Sequence, residues 1–140
     1  MRSYTITLTE DEFAKLERDF PNGPKNNSTR DRAVEITKIF ILRERPDAHI
    51  TIAAKSTGAD LTIAENLISA DIEVKGTAEE DIAWQKIGVS GEPSYKGILN
   101  GREVYRVCGV FSKKPTIHIL KHGVDFTMVP EPRWRFKPIK

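Results

Sequence analysis

Two acidic residues and a lysine stand near the middle of the chain at a spacing that suits metal-assisted hydrolysis. Asp60 lies thirteen residues before Glu73, and Lys75 is two residues beyond Glu73. Both surrounding segments alternate polar and apolar residues, which is typical of half-buried strands. Glu73 and Lys75 then project to one face of the second strand, while Ile72 and Val74 project to the other. A hairpin between the two segments would bring Asp60 close to the Glu73–Lys75 pair. We expect the three side chains to meet on one exposed or cleft-lining side of the sheet, and burial beneath packing would count against a catalytic role.

These residue types have a definite chemistry. Mg²⁺ prefers oxygen ligands, keeps several waters and is usually held by one or two carboxylates together with a substrate phosphate. Asp60 and Glu73 would supply the carboxylates, and the backbone carbonyl of Val74 is a third candidate ligand. A metal held there polarises a phosphate and lowers the pKa of a bound water. Lys75 would orient that water or stabilise developing negative charge.

An ordinary surface role for the same residues stays open. A Glu-x-Lys triplet is expected by chance about once in a chain of this size, and a short motif of this kind carries little information alone. Opposite charges two residues apart on the wet face of a strand also serve simply to keep a protein in solution. The alternative is therefore a catalytically inactive nucleic-acid-binding or protein-interaction domain on a similar scaffold.

The remaining elements can be read from periodicity and turn signals. Asn100-Gly101 predicts a type I′ turn, because both positions accept a positive φ. The chain order is an α+β pattern with a mixed sheet. The predicted elements are a strand at 4–8, helices at 10–20 and 28–45, strands at 49–55, 59–65 and 70–76, a short helix at 78–87 with a strand as the alternative, a hairpin of strands at 94–99 and 102–111, and strands at 116–120 and 124–128.

Length and composition favour a single domain over residues 1–140, with 39% hydrophobic and 30% charged residues and a formal net charge of +2. Within it we expect an N-terminal strand-helix arm at 1–20, a core at 28–128 and a basic, aromatic tail at 129–140. The lone cysteine, Cys108, excludes an intramolecular disulfide and is expected to be buried and inert. The chain starts without the apolar region of a signal peptide and has no apolar run of membrane-spanning length, so a cytoplasmic location away from membranes is expected.

The segment that holds the acidic residues resembles the PD-(D/E)xK nuclease superfamily. In that family an acidic residue opens one strand, and a carboxylate-x-Lys triplet lies on the next; here these are Asp60 and Glu73-Val74-Lys75. The resemblance implies a restriction-endonuclease-like mixed sheet flanked by helices, to which this chain adds a C-terminal β-hairpin. It also implies Mg²⁺ or Mn²⁺ as the cofactor, Glu35 as a helix glutamate of the site, and Gln85 as a glutamine in the element after the triplet. No proline precedes Asp60, unlike the motif that gives the superfamily its name.

Basic residues follow the predicted site and suggest a polyanionic substrate. Cations that alternate with Trp134 and Phe136 in the tail would bind phosphates and stack on bases. The alternative is a solvated strand whose aromatic side packs on the domain. DNA is the expected partner, with RNA as the alternative, and a homodimer would present two sites to the two strands of a duplex. The candidate nucleic-acid-binding residues are Lys86, Lys96, Arg102, Arg133, Arg135 and Lys137.

Overall fold

The computed structural model describes residues 1–23, 27–130 and 137–139. Six strands and three α-helices are assigned within these ranges, in an α+β arrangement. In chain order they are β1 (Arg2–Thr5), α1 (Glu10–Asp19), α2 (Asn27–Glu44), β2 (His49–Ile52), β3 (Leu61–Glu65), β4 (Ile68–Thr77), α3 (Glu92–Leu99), β5 (Val104–Cys108) and β6 (Thr116–Leu120).

The six strands form one mixed sheet in the order β1-β6-β5-β4-β3-β2. Strands β2, β3 and β4 are an antiparallel meander, whose second turn has Asn66 and Leu67 at positive φ. The chain then crosses through α3 and returns as β5, which pairs parallel to β4. A parallel pair needs such a crossover connection, whereas β5 and β6 pair antiparallel through a short loop.

The two faces of the sheet carry different layers. Helix α2 covers one face and buries Ala33, Ile36 and Phe40 against the alternate residues Ile72 and Val74 of β4. Burial of this apolar surface is the main force that holds α2 on the sheet. A smaller cluster on the other face packs α3 against the end of the sheet; its buried members are Ile98, Val104 and Leu120. Glu73 and Lys75 point to this second face, because strand side chains alternate.

The predicted N-terminal arm is part of this fold. β1 pairs with β6 and is therefore an edge strand of the sheet, and Leu8 and Leu16 are buried in the main core. The capping box at the start of α1 is confirmed: Glu12 N donates to the Thr9 hydroxyl at 3.1 Å, and Thr9 N donates to the Glu12 carboxylate at 2.8 Å. The strand-helix segment thus has a defined structure that joins the larger sheet.

The predicted hairpin around Asn100-Gly101 is wrong, because residues 92–99 form helix α3. Gly101 has a positive φ of 102°, but it lies just past the helix end rather than in a strand turn. Arg102 N donates to the Gly97 carbonyl at 3.0 Å and Gly101 N donates to the Ile98 carbonyl at 3.1 Å, which is the Schellman pattern of a helix C-terminus. The antiparallel C-terminal pair is instead β5 with β6.

Two further predicted elements differ in the structure. The helix expected at 78–87 is reduced to a single 3₁₀ turn at Trp84–Lys86, which follows Ala83 at a positive φ of 50°. The strand expected at 124–128 is reduced to an isolated bridge between His122 and Phe126. The strand at 116–120 is confirmed. Among the described residues, no helix has the length and apolar character needed to cross a membrane.

Candidate functional site

Asp60 is held at the point where the chain enters β3. Its backbone N–H donates to the Ile72 carbonyl at 2.9 Å, and its carboxylate Oδ2 accepts from the Val74 N–H at 2.7 Å. The preceding Gly58 has a positive φ of 71°, and a Cβ there would lie 2.5 Å from Ser94 N. The tight approach of this loop to α3 therefore requires glycine. These contacts fix the Asp60 carboxylate beside the middle of β4.

Glu73 directly precedes the Val74 N–H that binds Asp60 and is almost completely buried, with 2% of its surface exposed. Burial raises the pKa of its carboxyl group above the ordinary value, and the charge of Asp60 raises it further. Lys75, the Ser94 hydroxyl and Arg102 act in the opposite direction and lower it. The Asp60 carboxylate thus lies beside Glu73, and Lys75 follows on the same face of β4, but Glu73 is buried beneath packing rather than on the exposed or cleft-lining surface that the sequence predicts.

Arg102 is the direct partner of Glu73. Its Nη1 lies 3.2 Å from Glu73 Oε1, and its Nη2 donates to the Thr57 carbonyl at 2.8 Å. The guanidinium rests on Gly97 of α3, where a Cβ would lie 2.3 Å from Arg102 Cζ. The Schellman turn at the end of α3 directs Arg102 back over the helix and toward the sheet. Only 10% of its side-chain surface is exposed, so Arg102 is placed to pair with Glu73 rather than to contact nucleic acid.

Lys75 lies across from Arg106 in the parallel pair of β4 and β5. Arg106 is 2% exposed and donates to the carbonyls of Ile82 at 2.8 Å and Gly76 at 3.1 Å. These hydrogen bonds hold the segment after β4 on the side of the sheet that carries Lys75. Gln85 follows this segment in the exposed 3₁₀ turn Trp84–Lys86, and its predicted role at the site stays a prediction.

The oxygen donors here fit Mg²⁺ or Mn²⁺ better than zinc. Asp60 and Glu73 supply two carboxylates, and the carbonyl of Val74 points to the same strand edge as the N–H that binds Asp60. Within the described ranges, no group of three or more His, Cys, Asp or Glu side chains is arranged to hold a metal ion. Two carboxylates with waters completing the shell are the usual protein ligands of Mg²⁺.

Glu35 does not join this group. Its carboxylate accepts from Lys38 Nζ at 3.1 Å, along the partly exposed side of α2. The α2 residue that reaches the site is Arg30, whose Nη2 lies 3.3 Å from Asp60 Oδ1. Arg30 is in the first turns of α2, close to the β3 start, whereas Glu35 is more than a helical turn farther on. The assignment of Glu35 as the helix residue of the site is therefore replaced by Arg30.

Two of the other candidate nucleic-acid-binding residues form ion pairs with acidic residues near them in the chain. Lys86 pairs with Glu79 at 3.1 Å, and Lys96 pairs with Glu92 at 2.9 Å along α3. Both lysines are exposed, so these pairs are weak and leave the ammonium groups accessible. Lys137 is exposed near the end of the chain. The predicted contacts of Arg133 and Arg135 lie outside the described residues.

Besides Arg30, three contributions to the site were not anticipated from the sequence: Ser94, Gly97 and the pairing of Arg102 with Glu73. Ser94 donates from its hydroxyl to the Gly58 carbonyl at 2.7 Å and lies near Glu73. The signal that could have found them is the helix ending at Asn100-Gly101. The same dipeptide suits a type I′ turn and a helix C-terminus, because both need a residue at positive φ.

The chain matches no protein-family model, and searches of curated proteins and of solved structures also find no similar protein.

Proposed function

We propose that this protein is a metal-dependent nuclease of restriction-endonuclease-like fold, which hydrolyses phosphodiester bonds in DNA with Mg²⁺ or Mn²⁺. The observation that carries the proposal is the position of the Asp60 carboxylate, which accepts from the Val74 N–H beside Glu73 at 2.7 Å and whose charge raises the pKa of Glu73. Lys75 follows two residues later on the same face of β4. The order of α2, the β2–β4 meander, α3 and the parallel β5 supports the fold assignment.

Each residue has a separate task in this proposal. Asp60 and Glu73 would hold the cation, which would polarise the phosphate and make a bound water more acidic. A bound cation would also offset the charge of Asp60 that raises the pKa of Glu73. Lys75 places an ammonium beside the carboxylates, where it orients the attacking water or stabilises charge on the phosphate. Gln85 positions water or substrate from the segment that Arg106 fastens down.

The proposal is tested by incubating supercoiled plasmid DNA, and in parallel single-stranded DNA and RNA, with the protein in Mg²⁺, Mn²⁺ or EDTA. We expect cleavage of DNA that requires the metal and is blocked by EDTA. Lys75→Ala and Asp60→Asn should each reduce the rate by about 100-fold or more, which is the typical effect of removing one electrostatic contact to a reacting group. Asparagine at position 60 retains an oxygen that can accept from the Val74 N–H.

Lys38→Ala is the matched control for Lys75→Ala, because it removes the same charge from α2 on the opposite face of the sheet. It should leave the cleavage rate within about twofold of wild type, since exposed pairs such as Lys38–Glu35 contribute little. Equal rates for wild type, Lys75→Ala and Asp60→Asn would refute the catalytic assignment. If the protein cleaves RNA only, RNA replaces DNA as the proposed substrate and the assignment of the site residues stands.

The ion pair of Glu73 with Arg102 favours a second candidate function. A buried carboxylate that already has a guanidinium partner can be a purely structural feature, with the domain acting in binding rather than catalysis. In that case the protein would retain DNA under conditions where calorimetry detects no Mn²⁺ binding, and its DNA affinity would be insensitive to Asp60→Asn.

A further inference from the structure

Three separate parts of the chain surround the Arg102 guanidinium. Glu73 of β4 and the Thr57 carbonyl accept its hydrogen bonds, at 3.2 and 2.8 Å. The third wall is α3, where a Cβ on Gly97 would lie within 2.3 to 2.6 Å of Cζ, Nη1 and Nη2. The close approach therefore depends on a glycine at position 97. The Schellman turn fixes the backbone of Arg102 beside it.

Arg102 and the proposed metal are both cations, and both would bind the carboxylate of Glu73. Arg102 binds Oε1 of Glu73, one of the two carboxylates that would hold the cation. A guanidinium and a divalent cation on the same carboxylate would repel each other, and the repulsion would be strong because Glu73 is almost fully buried. Occupancy of Glu73 by one cation therefore disfavours the other.

We propose that Arg102 is the internal counter-ion of Glu73, which neutralises this carboxylate without a metal and must release it when the metal binds. The proposal rests on the proposed function, because it concerns the same carboxylate pair. An open groove of about 450 Å³ is lined in part by Arg102 and Gly97, and it would receive the side chain on release. Asp71, Asn100 and Lys121 line it. Arg102 is thus a positioning residue that sets the metal affinity of the site.

Gly97→Ala tests this competition without a change of charge. The new Cβ would overlap three guanidinium atoms, and relief of the overlap needs a shift of about 1 Å. The guanidinium is the end of a flexible side chain and can shift, whereas the helix backbone cannot do so cheaply. Alanine also favours a helix interior over glycine by about 1 kcal/mol, so the variant is expected to fold. Gly88→Ala is the control, because nothing lies within 4 Å of a Cβ at that position.

The measurement is the Kd for Mn²⁺ by titration calorimetry of the full chain, with circular dichroism to confirm that each variant is folded. A hydrogen bond to a charged group corresponds to about a tenfold change in an equilibrium constant. Gly97→Ala should therefore lower the Kd about tenfold relative to wild type, while Gly88→Ala leaves it unchanged. Arg102→Met should shift it in the same direction if it folds.

The outcomes separate this inference from the proposed function. Equal or weaker Mn²⁺ binding by folded Gly97→Ala, with clear binding by wild type, overturns the counter-ion role and leaves the metal site standing. Detectable Mn²⁺ binding by Gly97→Ala but not by wild type would be the strongest support for competition between Arg102 and the metal. Absence of Mn²⁺ binding in both proteins overturns the metal site and the counter-ion role together.

Discussion

Gly76 closes the Glu73-Val74-Lys75 triplet, and the structure gives it a packing role that a substitution can measure. A Cβ at this position would lie 2.6 Å from the Ala33 Cβ and 2.9 Å from the Thr29 carbonyl oxygen. Both atoms belong to the rigid frame of α2, so the helix as a whole must move by about 1 Å to restore normal contact. Overpacking of this kind costs about 1 to 3 kcal/mol, and a backbone clash favours the upper end.

The expected shift in melting temperature follows from the size of the chain. At about 2.1 cal/mol/K per residue, the unfolding entropy of 140 residues is about 0.3 kcal/mol/K. A loss of about 3 kcal/mol in Gly76→Ala therefore lowers the melting temperature by about 10 °C, measured by calorimetry or circular dichroism. Gly88→Ala serves as the control and should stay within about 2 °C of wild type. Equal melting temperatures for the two variants would refute the close packing of α2 on β4.

Two further predictions concern groups away from the carboxylates. Burial, and then the charge of Arg106, lowers the pKa of His118, so the unfolded chain takes up a proton there before the folded one does. The contribution of His118 to stability should be full above about pH 6.5 and fall as the pH drops below it. The free energy of unfolding in urea should therefore differ less between pH 7.5 and pH 5.5 in His118→Gln than in wild type. An equal difference in the two proteins would contradict the assignment. Burial also raises the pKa of the Cys108 thiol. Its reaction with a thiol reagent at pH 8 should therefore require unfolding, and rapid labelling of the native protein would show that the strand is open.

The parts of the site that depend on local pattern were predictable from the sequence. Alternation placed Glu73 and Lys75 on one face, and the order of the two strands brought Asp60 beside them. The α+β class and the meander follow from the same periodicity. The burial of Glu73 was not predictable in this way, because it depends on where α3 and Arg102 pack, and these are long-range contacts.

Asn100-Gly101 shows where local pattern fails. A strand turn and a helix end both place a residue at positive φ, and the preceding segment 94–99 is too short for periodicity to distinguish a strand from a helix. The choice is made by packing, since Ile98 joins Val104 and Leu120 in the smaller core. The same choice determines that Arg102 reaches Glu73 rather than solvent. Tertiary contacts therefore decided both the element and the role of its neighbouring arginine.

The central claim is that Asp60 and Glu73 jointly bind a divalent cation, and a calorimetric titration of Mn²⁺ into wild type and Asp60→Asn tests it most directly. Asparagine keeps the acceptor for the Val74 N–H and removes only the charge, so the fold should be preserved. We expect about one ion per chain in wild type and a Kd raised at least about tenfold in the variant. Absence of Mn²⁺ binding in wild type, or an equal Kd in folded Asp60→Asn, would contradict the metal site.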